Sequence, residues 1–108
     1  MLILVDSLSM FSLAGRRALV TGSSRGIGYG IADALTGAGA QVILNGRDEV
    51  ALGEAASKLA EGGATVRAVA FDVTSEESVG DAIGWIEDEI GPIDILVNNA
   101  GMQYRTAL

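Results

Sequence analysis

Cysteine and histidine are both missing from this chain of 108 residues. Without cysteine there is neither a disulfide framework nor a thiolate metal site, and such a chain fits a reducing, cytoplasmic compartment. Without histidine the commonest metal ligand and the commonest general base are gone, so no metal site is expected. Basic residues are scarce as well. Seven Lys and Arg against 14 Asp and Glu give a net charge of −7, and Lys58 is the only lysine. That balance argues against a nucleic-acid partner and against an anionic membrane surface. The opening Met1-Leu2-Ile3-Leu4-Val5 is apolar but far too short to span a bilayer, and no basic residue precedes it. A single proline and 49% apolar residues describe a folded domain rather than a disordered one. The length allows one domain at most. Residues 1–10 read as a loose extension, with Met10 an alternative start, and 11–108 as the folded unit.

Glycine, by contrast, is plentiful, with 15 residues. Three of them fall in the run Ala18-Leu19-Val20-Thr21-Gly22-Ser23-Ser24-Arg25-Gly26-Ile27-Gly28. A short apolar strand leads into a glycine turn, and an apolar-periodic helix follows. That layout suits a dinucleotide pyrophosphate. A helix start offers unpaired N–H groups and the positive end of the macrodipole, provided no Cβ blocks the approach. In this reading Gly22 makes the sharp turn, Gly26 lets phosphate reach the backbone, and Gly28 lets the helix pack close to the sheet. In a chain this rich in glycine the same three residues also fit a purely structural loop. A triphosphate-binding P-loop is disfavoured, because no Gly-Lys-Ser/Thr follows the turn.

Apolar spacing alternates between the two secondary-structure periods. Strands are expected at 17–21, 41–45, 65–71 and 93–97. Helices are expected at 24–37, 48–61 and from Thr74 to Ile90. The first helix would bury Ile27, Ile31, Ala34 and Leu35. The second would bury Leu52, Ala55, Ala56 and Leu59, and the third Val79, Ile83, Ile86 and Ile90. Thr74 with Glu77 reads as a capping box, and Gly91-Pro92 as a stop. In the third strand, Val66, Ala68 and Ala70 alternate with Thr65, Arg67 and Val69. Trp85 stands one position off the apolar stripe, as a half-buried anchor. The order βαβαβαβ implies an α/β fold with a parallel sheet.

Chemistry-bearing residues recur where open α/β sheets bind ligands, at the carboxyl ends of the strands. The glycine turn follows the first strand, Asn45-Gly46-Arg47 the second, Asp72-Val73 the third and Asn98-Asn99-Ala100-Gly101 the fourth. With Thr21-Gly22-Ser23-Ser24-Arg25-Gly26-Ile27-Gly28, these segments resemble the short-chain dehydrogenase/reductase family from about Phe11 to the last residue. Phe11 to Val20, Leu44 to Asp48 and Gly101 to Arg105 look most like its gluconate-oxidising branch, although 3-oxoacyl-[acyl-carrier-protein] reductases share the same first half.

The resemblance implies a Rossmann-like, doubly wound sheet, of which this chain supplies strands in the order 3-2-1-4. It implies cofactor contacts at Gly22, Ser24, Arg25, Gly26, Ile27 and Gly28. Asp72 would accept the adenine amino group beside the Val73 backbone, while Asn99, Ala100 and Gly101 would flank the ribose. Asn98 would instead tie strands together. For Asp72 the rival reading is a turn or capping aspartate. NAD-using relatives place an acid at the end of the second strand, for the ribose 2′-hydroxyl. Here that position is Gly46, followed by Arg47. An arginine can bind a 2′-phosphate through charge-assisted bonds, with Arg25 as the second cation, so NADP is expected in preference to NAD. The rival reading pairs Arg47 with Asp48 or Glu49.

The family's catalytic serine and Tyr-x-x-x-Lys are absent from this sequence. Tyr104 has Leu108, and Tyr29 has Asp33, where the lysine would stand. No catalytic residue is therefore assigned, and the general acid/base for hydride transfer lies elsewhere. The chain reads as the NADP-binding half of a truncated dehydrogenase, whose sugar-acid substrate would bind only a completed enzyme, with Gln103 and Arg105 near it. The alternative is a vestigial nucleotide-binding module. Ile93 to Val97 would form an apolar edge strand through which copies could associate.

Overall fold

Strands and helices alternate along the chain as the apolar spacing predicts. The computed structural model describes residues 12–100. The expected extension at 1–10, and Gly101, Gln103, Tyr104 and Arg105, lie outside the described residues. The elements are β1 (Arg17–Val20), α1 (Gly26–Gly37), β2 (Gln41–Gly46), α2 (Glu49–Ala60), β3 (Val66–Ala70), α3 (Glu76–Glu89) and β4 (Ile95–Val97). The four strands form one sheet in the order β3-β2-β1-β4. Every pairing is parallel, with Leu19 opposite both Ile43 and Leu96, and Leu44 opposite Ala68.

The two central strands are apolar at successive positions because both their faces are covered. Val20, Val42 and Leu44 join Ala32 of α1 and Leu52, Ala55 and Leu59 of α2 in one buried cluster. Leu19 and Ile43 point the other way and meet Phe71 and Ile86, with Val79 and Ile83 of α3 and Ile90 just past its end partly buried beside them. At the end of the sheet where β1 and β4 begin, Arg17 clasps the strands. Its backbone N–H donates to Asp94 Oδ2 at 2.9 Å, its Nη1 to the Pro92 carbonyl at 2.9 Å and its Nη2 to Gln41 Oε1 at 3.0 Å.

Three expectations need correction. Helix α1 begins at Gly26, and its buried residues are Gly28 and Ala32 rather than the large aliphatics; Ile27 is 68% exposed. Its first turn lies so close to the glycine turn that only small side chains fit between them. Ala34 is exposed too, while Ile31 and Leu35 are partly buried at the margin of the core. The cap of α3 is Ser75, whose Oγ accepts the Ser78 N–H at 3.1 Å. Thr74 turns instead toward Asp72, donating from its N–H at 2.9 Å and its hydroxyl at 2.6 Å. Finally, β3 does not alternate cleanly: Val66 and Val69 are partly buried, but Ala68 and Ala70 are exposed. An edge strand has a neighbour on one side only, and its helices cover it incompletely.

Candidate functional site

The chain leaves β1 at Thr21 and turns at Gly22, whose φ of +58° lies in the left-handed region that favours glycine. Both ends of the Gly22 residue are held. Its N–H donates to Asn45 Oδ1 at 3.1 Å, and its carbonyl accepts from Asn99 Nδ2 at 3.0 Å. Ser23 is fully buried. Its Oγ donates to the Val20 carbonyl at 2.7 Å and accepts the Asn45 N–H at 3.0 Å. Thr21 Oγ1 accepts the Ala100 N–H at 3.2 Å and donates to the Val97 carbonyl at 3.3 Å. Side chains from β2 and from the residues after β4 thus fix the turn that the glycine spacing predicts.

Helix α1 then begins without help. Its N-cap, Arg25, has an extended backbone and makes no side-chain cap bond, and no acid lies in the first turn. Gly26 has φ +66°, with open space where a Cβ would stand. The other helices differ. Asp48 Oδ1 caps α2 through the Val50 and Ala51 N–H groups, with Glu49 in its first turn. Ser75 caps α3, with Glu76 and Glu77 following. Of the three starts, α1 alone has neither a side-chain cap nor an acid in its first turn. Gly28 is needed for contact, since a Cβ there would overlap the Gly22 carbonyl oxygen.

The expected adenine side is built around Asp72. Its Oδ1 accepts both bonds from Thr74 and one from Arg47 Nη2 at 3.2 Å. The Thr74 hydroxyl, then the Thr74 N–H, and to a smaller degree the Arg47 charge hold the Asp72 carboxyl below its ordinary value. Through Oδ1, Asp72 thus makes the contacts of a turn aspartate. Arg47 pairs with it rather than with Asp48 or Glu49, and the pair is open to solvent, with side chains 69% and 46% exposed. Val73 packs partly into the core over α3.

Ser24, Arg25, Gly26 and Ile27 line the outer side of the turn, partly or fully exposed. The two asparagines do different work. Asn99 is buried and holds Gly22, while Asn98 is exposed and its Oδ1 meets Thr21 Oγ1 at 3.4 Å. Asn45 and Ser23 stand within the segments singled out at the strand ends but were given no role of their own. The signal was there, in a polar residue closing the apolar run Val42-Ile43-Leu44. Among the described residues no group of His, Cys, Asp or Glu is placed to hold a metal ion, and no helix is long and apolar enough to cross a membrane.

Comparison with known proteins bears on what this arrangement serves. A family model described as short chain dehydrogenase matches residues 16–108. Gluconate 5-dehydrogenase of Gluconobacter oxydans is 50% identical over 99 residues, covering 92% of this chain and 39% of that protein. The 5-keto-D-gluconate 5-reductase of Escherichia coli is 45% identical over 96 residues, covering 89% of this chain and 38% of that protein. Among solved structures, a gluconate 5-dehydrogenase from Burkholderia cenocepacia in complex with NADP and tartrate superposes with a TM-score of 0.79 at 41% identity. That match covers 83% of this chain and 35% of the other. The chain thus spans well under half the length of the relatives it matches.

Proposed function

Because the chain belongs to the short chain dehydrogenase family, we propose that its strand ends form the NADP-binding half of an oxidoreductase acting on a sugar acid of the gluconate or 5-ketogluconate type. The observation that carries this reading is the start of α1, uncapped, free of acids and open at Gly26. Phosphate oxygens would be held there by backbone N–H groups, as the helix dipole favours. Gly22, Ser24, Ile27 and Gly28 complete that cradle. Asp72 and Val73 would stand beside adenine, and Asn99, Ala100 and Gly101 beside the ribose, with Asn99 acting through the carbonyl of Gly22. Arg47 has guanidinium donors beyond the one on Asp72, and with Arg25 it would meet the 2′-phosphate. Gly46 puts no acid in the way. The sugar-acid class is supported by the names of the relatives.

NADP(H), when bound, would accept the hydride in oxidation of the sugar acid and donate it in the reverse reduction. The residues of this chain hold and orient the dinucleotide. No Tyr-x-x-x-Lys occurs among the 108 residues, so proton transfer at the substrate oxygen needs groups from outside this sequence. The chain by itself is expected to bind NADP without oxidising gluconate.

Calorimetric titration with NADP and with NAD tests the cofactor reading. NADP should bind more tightly, and Arg47→Ala should remove most of the difference. A charged hydrogen bond contributes about 1.5–3 kcal/mol, so the loss in NADP affinity should be roughly ten- to a hundredfold. Equal affinities for the two dinucleotides before mutation would overturn it.

A further inference from the structure

We infer that Asn45 is a positioning residue for the dinucleotide, setting the glycine turn at a fixed spacing from the adenine side of the site; this rests on the reading of that site as an NADP cradle. Asn45 is 1% exposed and stands one residue before the end of β2. Its Oδ1 accepts the Gly22 N–H at 3.1 Å. Its Nδ2 donates to the Phe71 carbonyl at 3.1 Å and to the Val69 carbonyl at 3.4 Å. Its backbone N–H donates to Ser23 Oγ at 3.0 Å, and its carbonyl accepts the Ser23 N–H at 2.8 Å.

The chemistry of the amide makes this choice of residue specific. One side of the side chain must accept an N–H and the other must donate to two carbonyls, which a carboxylate or a short hydroxyl cannot do together. The sheet ladder cannot make the same link. β1 and β3 are not neighbours, since β2 lies between them. Asn45 therefore joins the residue that turns the chain under the pyrophosphate to the residue just before Asp72. Asn99 holds the other end of Gly22, so the turn has little freedom to drift toward or away from the adenine side.

A dinucleotide engages both sides at once, and the gain from joining its parts depends on the spacing between the two subsites. A residue that merely stabilised the fold would weaken all ligands alike. A positioning residue weakens the joined ligand more than a fragment that touches one side. Adenosine 2′-monophosphate is such a fragment, because it lacks the pyrophosphate.

The test compares dissociation constants for NADP and for adenosine 2′-monophosphate in the full chain, by calorimetry, for wild type, Asn45→Leu, Asn45→Ser and Leu59→Ala. Leu59 is buried in the last turn of α2, away from the strand ends, and serves as the stability control. Asn45→Leu should weaken NADP about tenfold and the fragment less than about twofold, the first figure corresponding to loss of one hydrogen bond's positioning effect. Asn45→Ser, which leaves room for a bridging water, should shift the ratio in the same direction by less. If Asn45→Leu does not fold, Asn45→Ser decides by the same criterion. Leu59→Ala, corrected for the fraction folded, should leave the ratio unchanged. Equal losses for both ligands at Asn45, or an equal shift of the ratio by Leu59→Ala, overturn the inference while the NADP reading stands. A wild-type chain that binds neither ligand overturns the NADP reading, and the inference falls with it.

Discussion

Gly46 ends β2, and a Cβ built there would meet Leu52 Cδ1 and Ser24 Oγ at 3.6 Å, an ordinary contact. The fold does not demand glycine at this position, so its lack of a carboxylate is free to serve selectivity. Gly46→Asp should fold with an unchanged urea midpoint and shift the NADP-to-NAD affinity ratio toward NAD by about tenfold or more, because an acid repels the 2′-phosphate and accepts from the 2′-hydroxyl. Titration of both dinucleotides reads the shift. Asp72 makes a separate prediction. Its carboxyl is held below the ordinary value of 3.8, first by the Thr74 hydroxyl and then by the Thr74 N–H. A depressed carboxyl stabilises the folded state above its unfolded value, and that contribution disappears as pH falls through the folded value. Wild type should therefore be more stable than Asp72→Asn at neutral pH, with the gap closing only in strong acid; urea unfolding across that range checks it. At this scale the sequence was readable where chemistry depends on neighbours in the chain, as at Gly22, Gly26 and Gly28. It was not readable where a side chain reaches across strands. Asn45 on Phe71, Arg47 on Asp72 and Asn99 on Gly22 all depend on strand order and register, which no local spacing encodes.

Among the elements, α2 shows how much spacing can predict. Leu52, Ala55 and Leu59 are buried as their periodicity requires, and Asp48 caps the helix just ahead of them. Helix α1 shows the limit, since close approach at Gly28 puts small residues against the turn and leaves Ile27 outside. At α3 two candidate caps stand side by side, Thr74 and Ser75, and local pattern cannot choose between them. Asp72 decides the matter by taking both Thr74 donors, which leaves Ser75 to cap. Ser75→Ala should accordingly destabilise the protein by about 1 kcal/mol, the usual effect of a lost N-cap. Glu77→Ala should change stability by less than about half that, because surface substitutions without a specific partner are near neutral. Urea midpoints for the two variants distinguish this arrangement from a Thr74–Glu77 capping box.

For the molecule as a whole, the two edges of the sheet differ. β3 exposes Arg67, Ala68 and Ala70, a charge and two small side chains, whereas β4 presents Leu96 at 59% exposure. An apolar parallel edge of this kind invites pairing with another copy. The chain by itself should therefore self-associate, and Leu96→Lys should lower the sedimentation-derived mass toward that of a monomer; an unchanged mass would show that β4 is not the contact. The strand on which this edge rests, β1, also has an unusual history. It precedes the other three strands of the sheet in the chain, yet its clasp partner Asp94 lies 77 residues further along. Closing a loop of that length is slow compared with the shorter crossover to β2. During synthesis β1 must wait, one side bare, while α1, β2, α2, β3 and α3 are all made. The Arg17 clasp cannot close before Asp94 has been made, so it is a late event in time as well as a fastening in space.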